Sequence, residues 1–274
     1  MIEKNLQSID GVKIHYEVFE GKKSTKTLVF IHGFGGSLRA FDPIVENFKQ
    51  DQYKIINIDL RAHGKSERPK KSYQYGLNYF INDLVLILHQ EKATNVTLIG
   101  HCFGGILALG LAINYPYFSQ SMVLINVSYK APDLSRMIYR YFPMKGLIFF
   151  MLKFFPNLYL KNYPAYAKYE NSGDFNPRRI GSDVLHTSPK SYLYITREIV
   201  NFNFSHKLSK INNNVLLVHG EKDRVFPLKN AFELAKKLPH SKLSIIKNGN
   251  HLTVLNKRTE LIKIIKENLA QKFL

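Results

Sequence analysis

Apolar positions along this chain fall into short saturated runs separated by longer amphipathic stretches, the alternation expected of a parallel sheet covered by helices. Lys4 to Ile9 and Val12 to Phe19 alternate apolar and polar around Asp10-Gly11, which predicts a β-hairpin with a tight turn. Lys26 to His32 and Tyr53 to Asp59 read as buried strands, and Ser37 to Phe48 as the helix between them. Asn78 to Lys92 places Phe80, Leu84, Ile87 and Leu88 on one side of an amphipathic helix. Val96 to Ile99 and Ser121 to Val127 are further buried strands, with the helical pattern Ile106 to Ala112 between them.

From Ser128 to about Lys210 this alternation stops, and aromatics, prolines and lysines crowd in. The pattern predicts a mostly helical cap, residues 128–210, inserted into a core made of residues 1–127 and 211–274. Strand and helix return with Asn214 to Gly220, Leu228 to Leu238, Lys242 to Lys247 and a last helix from about Thr253 to Phe273. The expected fold is α/β: a mostly parallel central sheet flanked by helices, with a helical cap insertion.

Length and composition narrow the class. A chain of 274 residues with 45% hydrophobic content can bury the core of one large domain. A single cysteine rules out an intrachain disulfide. The N-terminus shows no basic segment leading into an apolar one, and the apolar stretch Gly146 to Phe155 is too short to span a bilayer, so a cytoplasmic protein is expected, peripheral at a membrane at most. The net charge of +18 fits a Lys-rich solvated surface; its functional readings are attraction to an anionic membrane surface or to an acidic acyl carrier such as coenzyme A or a carrier protein. Nucleic acid is not expected, because the basic residues are spread along the chain without a recognition motif. In the cap, Met144 to Phe155 is apolar nearly all round, with Arg136, Arg140, Lys145 and Lys153 close by, so it suits either an acyl pocket or an interface with lipid.

The candidate chemistry centres on Gly100-His101-Cys102-Phe103-Gly104-Gly105. An apolar strand runs into it and a helix leaves it, the context of a nucleophile elbow of the form Gly-x-nucleophile-x-Gly. Serine is the usual occupant; here it is the one cysteine. The thiol reads as a native nucleophile, as a buried structural residue, or as a replacement of serine of the kind used to trap an acyl-enzyme. Leu38 stands where His32-Gly33-Phe34-Gly35-Gly36 would need a third glycine to be a dinucleotide fingerprint, and no Gly-Lys-Ser/Thr follows either glycine cluster. That loop instead offers the Phe34 N–H to an oxyanion. His63, in Asp59-x-Arg61-x-x-Gly64-x-Ser66, reads as part of a hydrogen-bonded turn.

A thiol nucleophile needs a base and an acid to orient that base. Downstream of the elbow, Asp223 follows one strand and His251 another, in the order nucleophile, acid, histidine. Asn126 ends a strand but is an amide, which favours Asp223; Glu221 reads as a turn residue. No cysteine or histidine cluster has metal-ligand spacing, and neither metal nor cofactor is expected.

With Gly220-x-x-Asp223-x-x-x-Pro227 and Gly249-Asn250-His251, these make five motifs that, in chain order and over nearly the whole chain outside the cap, closely resemble the α/β-hydrolase superfamily, specifically its capped, lipase- and esterase-like members. The resemblance implies that Cys102 is the nucleophile, His251 the base and Asp223 its orienter. It implies an oxyanion hole from the N–H groups of Phe34 and Phe103, with His32, Gly33, Phe34, Phe226 and Leu252 at the substrate. Cysteine in this box resembles dienelactone hydrolases and polyhydroxyalkanoate synthases, but the former lack a cap and the latter are longer. Dehalogenase and epoxide hydrolase chemistry is set aside, since an Asp nucleophile and all tryptophan are lacking. The implied activity is hydrolysis of a small-molecule acyl ester or thioester through an acyl-cysteine. Its rivals are an acyltransferase with the same intermediate, a serine esterase or lipase carrying Cys for Ser, and a hydrolase-fold binding protein.

Overall fold

The structure, a computed structural model, describes residues 1–21, 25–51, 53–131 and 154–270. Its eight strands are β1 (Ile2–Gln7), β2 (Lys13–Phe19), β3 (Thr27–Ile31), β4 (Lys54–Ile58), β5 (Val96–His101), β6 (Ser121–Ile125), β7 (Asn214–Gly220) and β8 (Ser241–Ile246). They form one sheet in the order β1-β2-β4-β3-β5-β6-β7-β8. The hairpin β1–β2 and the β2–β4 pair are antiparallel; every pair from β4 to β8 is parallel. Gly11 makes the hairpin turn with φ of 82°, a conformation that needs no Cβ.

The saturated strands are saturated because both faces of the sheet are covered. Along β3, Val29 and Ile31 face one core, with α2 (Leu77–Gln90) and α3 (Phe103–Asn114); Leu28 and Phe30 face the other, with α1 (Asp42–Phe48) and the helix Arg258–Ala270. Two predicted helices are broken. The segment after β3 opens as a 3-10 turn, Leu38–Phe41, before α1. The last helix is split at Lys257, whose φ of −133° leaves the helical region. The turn before the break, Thr253–Asn256, is tied inward by Thr253 to Asn126 and by Asn256 to Ser172, while the helix after it packs on the sheet.

The long insertion leaves the sheet after β6 and rejoins it before β7. At its neck Lys130 bridges Asn203, and the Phe204 N–H donates to the Tyr129 carbonyl at 2.9 Å. Its two described α-helices, Pro177–Thr187 and Pro189–Asn201, each begin with proline behind a side-chain cap, Asn176 and Ser188. Most of the apolar segment expected over Met144 to Phe155 lies outside the described residues; Phe154 and Phe155, at its end, are exposed. Among the described residues, no helix is long and apolar enough to cross a membrane.

Candidate active site

Cys102 sits between β5 and α3 with φ 50° and ψ −113°, a strained conformation for any residue with a side chain. Its neighbours hold it there. The Cys102 N–H donates to the Ile125 carbonyl at 3.0 Å, and its own carbonyl accepts from Gly105 and Ile106. A Cβ on Gly104 would lie 2.1 Å from the Ile31 carbonyl oxygen, so only glycine lets the helix start this close to β3. The result is a side chain at the tip of the sheet, one residue before the N-terminus of a helix that is buried almost all round.

His251 and Asp223 arrive on the loops after β8 and β7. The His251 Nδ1 donates to Asp223 Oδ2 at 2.8 Å, and the Cys102 side chain is close enough to act on the charge of the ring. Burial alone would lower the His251 pKa; the Asp223 carboxylate and the Cys102 sulfur outweigh it and raise the pKa to about 10. Asp223 is buried too, which disfavours its charge, yet its pKa is held below the usual value by His251 and further donors. Oδ1 accepts from the N–H groups of Val225 and Phe226, both at 2.8 Å, and Oδ2 also accepts from Asn126 at 2.7 Å. Asn126, read in the sequence only as an unsuitable acid, is therefore a donor to the acid.

Three more residues fasten this array without an obvious sequence signal. The His101 Nε2 donates to the His251 carbonyl at 2.9 Å; burial and the neighbouring His251 charge push its pKa down to about 3, so the ring stays neutral. The His219 Nε2 donates to the Phe226 carbonyl at 2.7 Å, securing the loop of the acid. Asp174, from the insertion, takes the His251 N–H on Oδ1 at 2.8 Å and the Arg224 N–H on Oδ2 at 2.9 Å. It is 77 residues from one partner and 50 from the other, a separation no local pattern reveals.

The loop after β3 lies against the elbow: a Cβ on Gly33 would sit 3.3 Å from the Cys102 Cβ. His63 proves structural, as its sequence context predicts. The His63 Nδ1 donates to the Arg61 carbonyl at 3.0 Å, while Nε2 accepts from the Gly35 N–H at 3.2 Å. His32 does not have the expected access to substrate. Its ring is fully buried, Nδ1 donating to the Gly33 carbonyl and Nε2 accepting from the Leu60 N–H, so it shapes the loop from behind. Among the described residues, the N–H groups of Phe34 and Phe103 have no acceptor. The Phe34 ring is half-buried and stacks 4.2 Å from Tyr192 of the insertion. Phe226 packs edge-on to His251 with centroids 5.5 Å apart, and Leu252 is buried. Glu221 accepts from the Asn248 N–H at 2.8 Å in the turn.

A family profile described as alpha/beta hydrolase fold matches residues 26–257. The chain is 23% identical to a proline iminopeptidase of Saccharolobus solfataricus over 304 aligned positions, covering 99% of this chain and 94% of that protein. Among solved structures, it superposes on an esterase from Exiguobacterium antarcticum with a TM-score of 0.78 at 21% identity, covering 98% and 100% of the two chains. An α/β hydrolase from a Medee basin deep-sea metagenome gives 0.80 at 20% identity, covering 99% and 98%. The chain belongs to the α/β-hydrolase family, and it is an enzyme of that class.

Proposed function

We propose that this enzyme hydrolyses small acyl esters or thioesters through an acyl-cysteine intermediate on Cys102. The observation that carries the reading is the His251 ring, bonded to Asp223 and within electrostatic reach of Cys102 at a strained elbow. In the first step the Cys102 sulfur attacks the acyl carbon and its proton resides on His251. The oxyanion that forms is received by the Phe34 and Phe103 N–H groups, aided by the N-terminus of α3. His251 then gives its proton to the departing alcohol or thiol. Water enters, loses a proton to His251 and attacks the thioester, which releases the acid and restores the thiol.

Residues 128–210 act in this reading as a lid that supplies the wall for an apolar acyl group. Tyr192 stacked on Phe34 supports that role, because it places an aromatic ring of the insertion on the oxyanion loop. The basic surface suits an acidic acyl carrier, such as coenzyme A or a carrier protein, or an anionic membrane. An acyltransferase is the second reading, favoured by the thiol itself: exchange of an acyl group between two sulfurs is nearly isoenergetic.

Intact-mass spectrometry after exposure to a panel of acyl donors tests the proposal. An acyl adduct that maps to Cys102 and disappears in Cys102→Ala is expected. His251→Ala should lower turnover by roughly 10⁴-fold or more, without adding to the loss from Cys102→Ala. No adduct from any donor, or near-normal turnover in His251→Ala, overturns the reading. Faster loss of the adduct to an added alcohol or amine than to water identifies the transferase.

A further inference from the structure

On the edge hairpin β1–β2, remote in sequence from the elbow, a buried histidine and two carboxylates share one face. The ladder sets Glu3 directly opposite Glu17 and Asn5 opposite His15, so His15 and Glu17 project to the same side of β2. Two like charges directly opposed across a strand pair are unfavourable unless something positive lies between them. The His15 Nδ1 donates to Asp59 Oδ2 at 2.9 Å. Asp59 is fully buried, and its other partners, the Leu38 and Lys65 N–H groups and the Tyr163 hydroxyl, are all donors, so its oxygens accept. That bond leaves Nε2 as the free ring nitrogen. His15 is 2% exposed, and its buried Nε2 has no hydrogen-bond partner; the nearest acidic oxygen, Glu3 Oε2, is 3.7 Å away.

We propose that His15 Nε2, Glu3 and Glu17 bind a divalent transition-metal ion of the zinc class. One nitrogen and one oxygen from each glutamate lie mutually within 4.8 Å. Tetrahedral bonds of about 2.1 Å need ligand atoms about 3.4 Å apart; Glu3 Oε2, at 3.7 Å from Nε2, nearly meets this, while the Glu17 carboxylate, held by Arg39, must turn toward the ring. The arrangement carboxylate–histidine–metal is the usual way such a ligand is oriented: Asp59 fixes the tautomer and turns the lone pair outward. A ring nitrogen with two carboxylates suits zinc-class ions, whereas magnesium favours oxygen donors alone.

The charge around the site agrees. Glu3, Glu17, Asp42 and Asp59 bring four carboxylates, and the cations that meet them are Lys65 on Glu3 and Arg39 on Glu17 and Asp42. Two positive charges against four negative ones leave room for a divalent ion. Lys65 takes Glu3 Oε1, which leaves Oε2 on the His15 side. A cavity of about 310 Å³ is bordered by two of the three ligands, Glu3 and Glu17, together with Arg39 and Asp42. Asp59 also receives the Leu38 N–H and the Tyr163 hydroxyl, so an ion here would brace the segment that follows the oxyanion loop.

Titration of tag-free, chelator-stripped protein with ZnCl₂ by calorimetry tests the site, with MgCl₂ run in parallel. One Zn²⁺ per chain is expected, with little heat from Mg²⁺. Glu3→Gln alters an exposed side chain, so the fold and the hydrolysis rate before metal addition should be unchanged while zinc affinity falls about tenfold or more. X-ray absorption should show nitrogen and oxygen neighbours at about 2.0–2.2 Å and no sulfur at about 2.3 Å. Wild-type protein should melt several degrees higher with zinc at about 100 times Kd. Absence of zinc binding, identical binding in Glu3→Gln, or a sulfur neighbour, which would place the ion on Cys102, overturns the proposal.

Discussion

The carboxylate of Asp174 accepts the backbone N–H of His251 at 2.8 Å, so a residue of the insertion sets the position of the candidate base. Its second oxygen holds Arg224, one residue beyond Asp223, and one side chain therefore couples both loops. Asp174→Ala should lower kcat by about 10- to 100-fold, because small misplacement of a catalytic group is costly. KM should change less. Asp174→Asn, which keeps one acceptor oxygen, should fall between the two. Steady-state kinetics on a chromogenic acyl ester check this, with circular dichroism as the control for folding; an unchanged kcat in Asp174→Ala removes the coupling.

Cys102→Ser distinguishes a native thiol from a replaced serine. The thiol reading expects turnover on thioesters to collapse. It also expects the pH profile to change shape. With Cys102 present, His251 keeps its proton up to about 10, so kcat/KM should decline on the alkaline side near that value. With serine, His251 must work as the free base, and residual activity should rise with pH instead. A strong gain on oxygen esters would identify serine as the nucleophile for which the site was built.

Stability should depend on pH through the same ring. The folded His251 pKa is raised from its ordinary 6.5 to about 10, so the ring in the folded state holds an extra proton between those values. The stabilisation is fully present below pH 6.5 and is lost as pH rises through about 10. Asp223 has the opposite sign: its pKa is lowered, so its contribution is present above its ordinary 3.8 and is lost as the solution becomes more acidic. Urea unfolding between pH 6 and 10 should show a declining free energy in the wild type and a flatter one in His251→Gln. Equal slopes would show that His251 is not the group responsible.

Gly35 accepts no side chain on two counts. Its φ is 73°, and a Cβ there would lie 2.8 Å from the Asp183 Cβ in the insertion. Gly35→Ala should displace the loop bearing the Phe34 N–H and lower kcat by about 10²- to 10³-fold, the usual cost of losing one oxyanion donor. Gly11→Ala is the control. It meets a similar backbone strain, with φ of 82° and nothing within 4 Å, and should reduce stability while leaving kcat intact.

The membrane reading of the charge is tested by vesicle sedimentation. Phe155, Leu158, Leu160 and Phe175 are all between 44% and 52% exposed in the insertion, on a chain of net charge +18. Binding to anionic vesicles that weakens with salt and with Leu158→Asp is expected, and neutral vesicles should bind poorly. Equal recovery in the supernatant with and without anionic lipid, at low salt, eliminates this partner.

The order of elements was legible because burial on both faces of a parallel sheet leaves saturated runs, such as Thr27–Ile31 and Val96–His101, that no other setting tolerates. The elbow was legible because one of its glycines answers to a contact within the turn itself: a Cβ on Gly100 would lie 2.6 Å from the Gly104 backbone. Asp223 and His251 could be named because each follows a strand end, which is a local fact. What packs around them was not, since hydrogen bonds to backbone N–H groups impose no spacing on the donor's sequence. Asp174, Asn126, His101 and His219 acquire their roles only when the ends of β5, β6, β7 and β8 and the insertion come together. His32 shows the reverse: its motif pointed to the substrate, but its ring nitrogens are consumed within its own loop and against Leu60. The grouping of Glu3 with His15 and Glu17 is likewise a product of strand register, for a slip of one residue would turn the two glutamates to opposite faces.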